Sequence, residues 1–331
     1  MILVTGAGGL LGREIIRQLA DAGLASRGLD HRKTSHSANE TFVGDLLEPE
    51  ICRKACDGVG TIIHTAARHN HSLMPRWGRE QFFDANVEMT HNLMRAAGKA
   101  GVRHFVYIST DMVYGIPPKR PVTEADPPSP LGPYGRSKQS SERTCLVARP
   151  HGMCVTIFRP RLLIGPGRLG VLQRLFDRIR TGRAVPVLGS GLHRYQMASL
   201  SDVAGACVLA VQNPLDEIFN LGSSDPPPVR TLLTQLCRRA GSSSKLRCLP
   251  FSIARAALWG LHAARLAPLV PEQFLAAGVD FVLDTSKAQR LLGWQPRLTD
   301  VDMLWSAYQS YVTALQPGAI TAPTGIHPTA A

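Results

Sequence analysis

The chain has 331 residues, of which 44% are hydrophobic and 19% are charged, and its formal net charge at pH 7 is +12. These values are typical of a globular protein with a large apolar core, and they exclude an intrinsically disordered chain. The apolar runs are well short of the ~20 residues that span a bilayer, and the first residues lack the basic segment of a signal peptide, so we expect a cytoplasmic protein without a membrane partner.

Short apolar strands alternate with amphipathic helices in the first half of the chain. Residues 1–4 form the first predicted strand, and residues 13–22 form the first predicted helix because apolar residues recur there at helical spacing. Further strands are predicted at 25–29, 41–43, 60–64, 104–109 and 155–158, and further helices at 86–100 and 137–148. This alternation predicts an α/β fold with a doubly wound parallel sheet.

The second half differs from the first because clusters of Pro and Gly interrupt it after Arg159, at residues 165–167 and 226–228. We predict that residues 1–160 mainly form the sheet domain. Residues 161–314 are predicted to form mainly a smaller α/β cap that is interleaved with the sheet. Residues 315–331 lack periodicity, so we predict a disordered tail.

A glycine-rich turn follows the first predicted strand and opens the first predicted helix. Gly6, Gly9 and Gly12 have the spacing G-x-x-G-x-x-G, with Leu10 and Leu11 between the last two. A backbone without Cβ atoms lets a pyrophosphate approach the amides at a helix N-terminus, so the turn predicts a dinucleotide site. The alternative is a turn that serves only tight packing of strand against helix.

The second predicted strand is followed by residues that would choose between NAD and NADP. Asp30 lies 18 residues after Gly12, the offset at which an acidic residue binds the ribose hydroxyls of NAD. Arg32 and Lys33 follow directly and are the alternative ligands, for the 2′-phosphate of NADP. We favour NAD because a carboxylate would repel that phosphate. Asp45 has two open roles, an adenine contact or the N-cap of the next helix.

Tyr134 and Lys138 are four residues apart, and therefore lie on one face of a predicted helix. A lysine cation favours the ionised form of a nearby phenol, which suits Tyr134 to acid/base work. A surface pair would have the same spacing. Thr110 follows the strand predicted at 104–109, and ligands of open α/β sheets bind beyond such carboxyl ends.

Several further motifs follow the glycine turn in a fixed order. They are Asp45-Leu46, His64-Thr65-Ala66-Ala67, Asn86, residues 109–115, residues 134–138 and Arg159-Pro160. In this order they resemble the extended short-chain dehydrogenase/reductase family, the NAD(P)-dependent epimerase and dehydratase group, over about residues 1–312. The resemblance implies a Rossmann-type domain that binds NAD(P), a cap that binds a small-molecule substrate, and a homodimer.

The resemblance also implies roles for individual residues. Tyr134 would be the acid/base, Lys138 would hold the nicotinamide ribose and tune the phenol, and Thr110 would orient the reacting oxygen. The cofactor contacts that it implies are Gly6, Gly9, Leu10, Leu11, Gly12, Asp30, Arg32, Asp45, Leu46, Thr65, Ala66, Ala67, Asn86, Ser109, Tyr134, Lys138 and Arg159. The implied chemistry is hydride transfer between the nicotinamide and a carbinol or ketone carbon.

Three positions depart from the family's patterns. Met112 stands where sugar 4,6-dehydratases have a glutamate base, so a dehydratase of that type is not expected. Leu162 stands where nucleotide-sugar enzymes have an asparagine that binds the diphosphate. Arg194 is followed by Tyr-Gln, where sugar-nucleotide relatives have Asp-Phe after their phosphate-binding arginine.

The candidate substrate contacts are Met112 and two arginines, Arg161 and Arg194, which would bind an anionic group or lie solvated at the surface. Asp111 is either a second acid/base or a residue that binds backbone amides of its loop. No metal site is expected because the seven cysteines are scattered without zinc spacing.

The leading functional prediction is an NAD(P)-dependent epimerase or ketoreductase that acts at a secondary alcohol or ketone of a sugar or nucleotide sugar. The first alternative is an oxidoreductase similar to hydroxysteroid dehydrogenases, for a lipidic or polyketide alcohol, which Leu162 and the apolar segment 249–271 favour. The second is a non-catalytic protein that senses the cofactor or binds nucleic acid. We expect no nucleic-acid partner, because the basic residues are not interleaved with aromatic ones.

Overall fold

The computed structural model describes residues 1–34, 36–68, 79–116, 118–147, 152–167, 172–252 and 278–316, together with Ala256 and Gly260. Most of the apolar segment 249–271 and most of the predicted tail 315–331 therefore lie outside the described residues. In the described part, no helix has both the length and the apolar character needed to cross a bilayer.

The described strands and helices follow one another in the alternation that the sequence predicts. The strands are β1 (Ile2–Thr5), β2 (Ser26–Asp30), β3 (Glu40–Val43), β4 (Thr61–His64), β5 (His104–Ile108), β6 (Cys154–Pro160), β7 (Leu162–Ile164), β8 (Val185–Leu188), β9 (Met197–Ser199), β10 (Ile218–Leu221) and β11 (Leu246–Leu249). The α-helices are α1 (Leu10–Asp21), α2 (Pro49–Cys56), α3 (Arg79–Lys99), α4 (Pro133–Val147), α5 (Leu172–Arg180), α6 (Leu200–Gln212), α7 (Val229–Arg239), α8 (Ser286–Leu292) and α9 (Asp300–Ala314). A 3-10 turn spans Asp111–Tyr114.

Seven strands form one sheet in the order β10-β6-β5-β4-β1-β2-β3, and every neighbouring pair in it is parallel. One core covers one face, where α1 and α6 pack on the sheet, and a second core under α2, α3 and α4 covers the other. The predicted doubly wound parallel sheet is therefore confirmed. The strand order reverses at β1, which lies between β2 and β4, and this is where such sheets bind ligands.

In the segment predicted as the cap, α5, α7, α9 and the small β8–β11 and β7–β9 sheets pack around a separate core. The same half of the chain also returns to the main sheet, because β10 pairs with β6 and α6 packs against α1. Residues after 160 thus contribute to both units. This return places the end of β6 and the start of β7 at the border between sheet and cap.

Candidate active site

The glycine turn after β1 accepts only glycine at two of its three motif positions. Gly6 has a φ of +70°, and a Cβ there would lie 2.8 Å from Ala66 N. A Cβ at Gly12 would overlap the Gly6 carbonyl oxygen. Gly9 N donates to Gly6 O at 2.9 Å, and Gly9 is the N-cap of α1 without a capping side chain. The first amides of α1 are therefore open to an anion.

Asp30 lies beside this turn at the end of β2. Its carboxylate accepts a hydrogen bond from Gly8 N at 2.9 Å and another from Arg32 N at 3.3 Å. The side chains of Arg32 and Lys33 are exposed. The acidic group that sequence analysis predicts for the ribose thus adjoins the turn predicted for the pyrophosphate.

Asp45 forms a local turn rather than a helix cap. Its Oδ1 accepts from Leu47 N at 3.0 Å, whereas the N-cap of α2 is Glu48, followed by Pro49 at the first helical position. The alternative prediction that Asp45 caps this helix is therefore wrong. Leu46 is buried, and its carbonyl oxygen accepts from Asn92 Nδ2 at 3.2 Å.

The segment after β4 is held against the glycine turn. Thr65 Oγ1 donates to Thr5 O at 2.7 Å, and Ala66 and Ala67 are half-buried beside it. His64 is buried beneath, with Nδ1 2.6 Å from Thr5 Oγ1, and burial lowers the pKa of His64 to about 3. His64 is therefore a neutral structural residue at physiological pH.

Asn86 connects this segment to α4. Its Oδ1 accepts from Arg68 N at 2.7 Å, and its Nδ2 donates to Arg68 O at 3.1 Å and to Ser137 Oγ at 3.2 Å. Because these hydrogen bonds connect the loop after β4 to α4, we infer that Asn86 positions the loop and the helix relative to each other.

Tyr134 and Lys138 lie in the first two turns of α4, on one side of the helix. Lys138 is 2% exposed, its Nζ donates to Ile108 O at 2.6 Å, and it lies 4.2 Å from the centroid of the Tyr107 ring. Burial lowers the pKa of Lys138 to about 7. Tyr134 is half-buried, with its ring edge-on to the Phe83 ring at 5.6 Å.

The loop after β5 meets the first turn of α4. A Cβ on Gly135 would lie 2.7 Å from Met112 O, so only glycine next to Tyr134 lets the helix approach this loop so closely. Thr110 begins the 3-10 turn, and its Oγ1 accepts from Met112 N at 3.3 Å. Ser109 is buried, and its hydroxyl has no hydrogen-bond partner in the described part of the chain.

Asp111 and Arg161 form a buried ion pair behind Thr110, which sequence analysis did not predict. Arg161 Nη1 donates to Asp111 Oδ2 at 2.5 Å, and the two side chains are 5% and 6% exposed. The guanidinium lies 4.2 Å from the ring centroids of both Tyr195 and Phe281. Burial is the largest single influence on the pKa of Arg161 and lowers it, but Asp111 and Tyr195 together outweigh burial, so the net direction is upward.

Arg159 makes internal contacts at the same border. Its Nε and Nη2 donate to the two carboxylate oxygens of Glu142 at 2.9 and 2.6 Å, and its Nη1 donates to Tyr114 Oη at 2.8 Å. All three residues are buried. We therefore infer that Arg159, predicted as a cofactor contact, fixes α4 to β6. The signal that sequence analysis missed is Glu142, one turn of α4 beyond Lys138.

Arg194 also has acidic partners. Its Nη1 donates to Asp225 Oδ1 at 2.8 Å, and its backbone N donates to Asp280 Oδ1 at 2.6 Å. Leu162 is half-buried in β7. The described residues contain no group of three or more side chains that would ligate a metal.

Comparison with known proteins assigns the fold and the family. The model of the NAD dependent epimerase/dehydratase family matches residues 2–222. The protein y4nG of Sinorhizobium fredii is 32% identical over 312 residues, which are 93% of this chain and 78% of that protein. A 4-hydroxy-2-methyl-3-oxo-4-farnesyl-3,4-dihydroquinoline-1-oxide ketoreductase of Stigmatella aurantiaca is 29% identical over 317 residues, 89% of this chain and 92% of the relative.

Solved structures of similar fold include a UDP-glucose 4-epimerase of Thermotoga maritima with UDP-glucose. It has a TM-score of 0.78 and 22% identity, over 95% of this chain and 99% of that one. A short-chain dehydrogenase/reductase superfamily protein from Agrobacterium tumefaciens with bound NAD has a TM-score of 0.76 and 24% identity, over 95% and 98% of the two chains.

Proposed function

The chain belongs to the NAD-dependent epimerase/dehydratase family, and from this we propose that it interconverts a secondary alcohol and a ketone, with Tyr134 as the acid/base. The observation that carries the proposal is the first part of α4, where Tyr134 adjoins the Thr110 loop through Gly135 and the buried Lys138 follows one turn later. NAD, when bound, supplies hydride exchange at C4 of its nicotinamide ring.

The residues at the carboxyl ends of β1 and β2 fit NAD. The uncapped amides of α1 would hold the pyrophosphate, and the tight contact of Gly6 with Ala66 keeps side chains out of that space. The Asp30 carboxylate would accept from the adenosine ribose hydroxyls. Its negative charge disfavours a 2′-phosphate, which supports NAD over NADP.

The side chains of this protein would contribute one chemical step, the transfer of a proton to or from the reacting oxygen. In the oxidising direction, the O–H bond of the alcohol would break and Tyr134 Oη would accept its proton, while the hydride exchange at the carbinol carbon is the chemistry that NAD would supply. In the reducing direction, Tyr134 returns the proton to the oxygen. Thr110 would hold that oxygen, and Lys138 would favour the phenolate whenever its amine is protonated.

Two positions favour a substrate without a nucleoside diphosphate. The Leu162 side chain offers no hydrogen bond, and the charge of Arg161 is neutralised by Asp111. Arg194, in contrast, forms only an exposed pair with Asp225. A diphosphate needs cations and donors that remain available. We therefore place the oxidoreductase of a lipidic or polyketide alcohol before the nucleotide-sugar enzyme, and the named ketoreductase relative supports this order.

Two assays separate the candidates. The first uses four probes: a 2-alkyl-3-oxoalkanoate and a 3-oxosteroid with NADH, and UDP-galactose and UDP-N-acetylglucosamine with NAD, and it follows the nicotinamide absorbance and the products. We expect NADH consumption with one of the first two. The second measures the melting temperature with UDP or dTDP, with NAD as the positive control.

We expect NAD alone to stabilise the protein, since a ligand at about 100 times its Kd adds about 2.7 kcal/mol to the free energy of unfolding. Stabilisation by UDP, together with interconversion of the UDP-sugars without net NADH change, would instead identify a nucleotide-sugar epimerase. No reaction with any of the four probes would count against the proposed reaction class.

A further inference from the structure

The proposed reaction gives no role to the buried Asp111–Arg161 pair, although burying two charges has an unfavourable desolvation free energy. Removing two charges from water costs several kcal/mol per ion unless geometry and hydrogen bonds compensate. Here the compensation comes from Asp111 Oδ2, which Nη1 meets at 2.5 Å, and from the Tyr195 and Phe281 rings, whose centroids lie 4.2 Å from the guanidinium, whereas Nη2 has no hydrogen-bond partner among the described residues. Arg161 is therefore fixed by its surroundings, and it fixes Asp111.

The second oxygen of the same carboxylate reaches the residue proposed to hold the substrate. Thr110 Oγ1 donates to Asp111 Oδ1 at 3.2 Å, while the same Oγ1 accepts from Met112 N at 3.3 Å. One bond directs the hydroxyl proton and the other occupies one lone pair. In this structure the Thr110 hydroxyl proton is thus held by Asp111, whose own position is set by Arg161.

The charge of Arg161 also determines how strongly Asp111 holds that proton. A carboxylate paired with a guanidinium is a weaker acceptor toward Thr110 than an unpaired one, because part of its charge is already neutralised. Thr110 can then share its proton with the substrate oxygen when negative charge develops there. A strongly held proton would remain on the Asp111 side.

We propose that Arg161 is a positioning residue that acts through Asp111 to set how readily the Thr110 hydroxyl turns its proton from Asp111 to the reacting oxygen, and that Asp111 is not a second acid/base. This inference rests on the proposed function. It differs from the predictions of Arg161 as a substrate contact and of Asp111 as a second acid/base, and it is supported by the burial of Arg161, which is 5% exposed and paired with Asp111. The pair recognises the substrate only through one neutral hydroxyl.

The test is a double-mutant cycle between Thr110→Val and Arg161→Lys, measured with NADH and the best of the four probes. Thr110→Val keeps the shape and removes the hydroxyl, and we expect kcat to fall about 10- to 100-fold, as for the loss of a hydrogen bond to a developing charge. Arg161→Lys keeps the positive charge but loses the planar guanidinium that contacts Asp111 Oδ2 and the Tyr195 and Phe281 rings. We expect it to lower kcat about tenfold, with KM changed less than about threefold.

The diagnostic result is non-additivity. If Arg161 acts through the Thr110 hydroxyl, Arg161→Lys lowers kcat less than about twofold in the Thr110→Val background, while its effect on the midpoint of urea unfolding is the same in both backgrounds. Arg159→Lys is the matched control, since Arg159 is also buried and paired with a carboxylate but does not contact Asp111. Its effect on kcat should multiply with that of Thr110→Val.

Two outcomes overturn the inference and differ in what else they affect. If Thr110→Val lowers kcat but the Arg161→Lys effect is unchanged in that background, Arg161 acts independently of Thr110, and the proposed function stands. If Thr110→Val leaves kcat unchanged, both the inference and the proposed role of Thr110 fail. Should Arg161→Lys not fold, the charge-free pair Asp111→Asn with Arg161→Met replaces it in the cycle, with the same criteria.

Discussion

Replacing Lys138 by methionine should make the protein more stable and nearly inactive. Lys138 is buried, and burial lowers its pKa from 10.5 to about 7. At about 1.4 kcal/mol per pKa unit, the protonated amine costs the folded state about 5 kcal/mol. Methionine removes this cost but leaves Ile108 O without its donor, a loss of about 1–3 kcal/mol. The expected net gain in the free energy of unfolding is about 2–4 kcal/mol at pH 6.5.

The effect of Lys138 on stability depends on pH. Above pH 7 the folded protein has released the Lys138 proton while the unfolded chain retains it up to pH 10.5, so wild-type stability rises with pH. The advantage of Lys138→Met is therefore complete below pH 7, and it shrinks by about 3–4 kcal/mol by pH 9.5. Urea unfolding of both proteins at pH 6.5 and pH 9.5 measures the gain in stability and its decrease.

A matched control separates the buried amine from the general effect of losing a lysine. Lys287 is bonded to Glu217 at 2.6 Å and is only half-buried, so Lys287→Met should lose at most about 1 kcal/mol without any change in kcat. We expect Lys138→Met to lower kcat at least about 100-fold. A less stable Lys138→Met protein at pH 6.5, or one with normal turnover, would refute the reasoning.

Three further predictions concern residues around the site. Burial lowers the pKa of His104 to about 4, so between pH 6.5 and 4 the unfolded chain binds a proton that the folded protein does not, and stability falls with pH. His104→Asn should therefore reduce the pH dependence of the free energy of unfolding in this range by about 1.4 kcal/mol per pH unit. An unchanged pH dependence would contradict this. Glu142→Gln leaves a buried arginine without its carboxylate and should lower the free energy of unfolding in urea by about 3–5 kcal/mol. Glu50→Gln, in an exposed pair, should leave it nearly unchanged, and equal losses would be the contrary result. Gly12→Ala should abolish NAD binding measured by calorimetry, because the new Cβ would overlap the Gly6 carbonyl oxygen. Gly98→Ala is the control, since a Cβ there meets open space, and it should leave NAD binding unchanged. NAD binding by Gly12→Ala would contradict the assignment of the turn.

The parts of the site that sequence analysis predicted are local in the chain. Gly6, Gly9 and Gly12 lie within one turn and the start of one helix, and Tyr134 and Lys138 are one helical turn apart, so spacing alone places them. The order of strands and helices was predicted equally well, because the period of the hydrophobic pattern and the length of each segment distinguish the two. Boundaries were less accurate: α3 begins at residue 79 rather than 86, and α4 at 133 rather than 137.

The parts that sequence analysis missed depend on distant residues. Arg161 lies 50 residues from Asp111, and its aromatic neighbour Phe281 is 120 residues further on, so no local pattern shows that the pair is buried and neutral. The pairing of Arg159 was missed for the same reason, because its partner Glu142 lies on a different element. The Asp45 cap prediction failed for a local reason, since Pro49 at the first helical position moves the cap to Glu48.

The most direct test of the central claim is the turnover of Tyr134→Phe, measured with NADH and the best of the four probes, beside calorimetric NAD binding to the same protein. The account predicts that kcat falls about 10²–10⁴-fold, the contribution of a positioned acid/base, while the Kd for NAD stays within about twofold of wild type. A variant that binds NAD normally and turns over at the wild-type rate would contradict the claim that this phenol handles the proton.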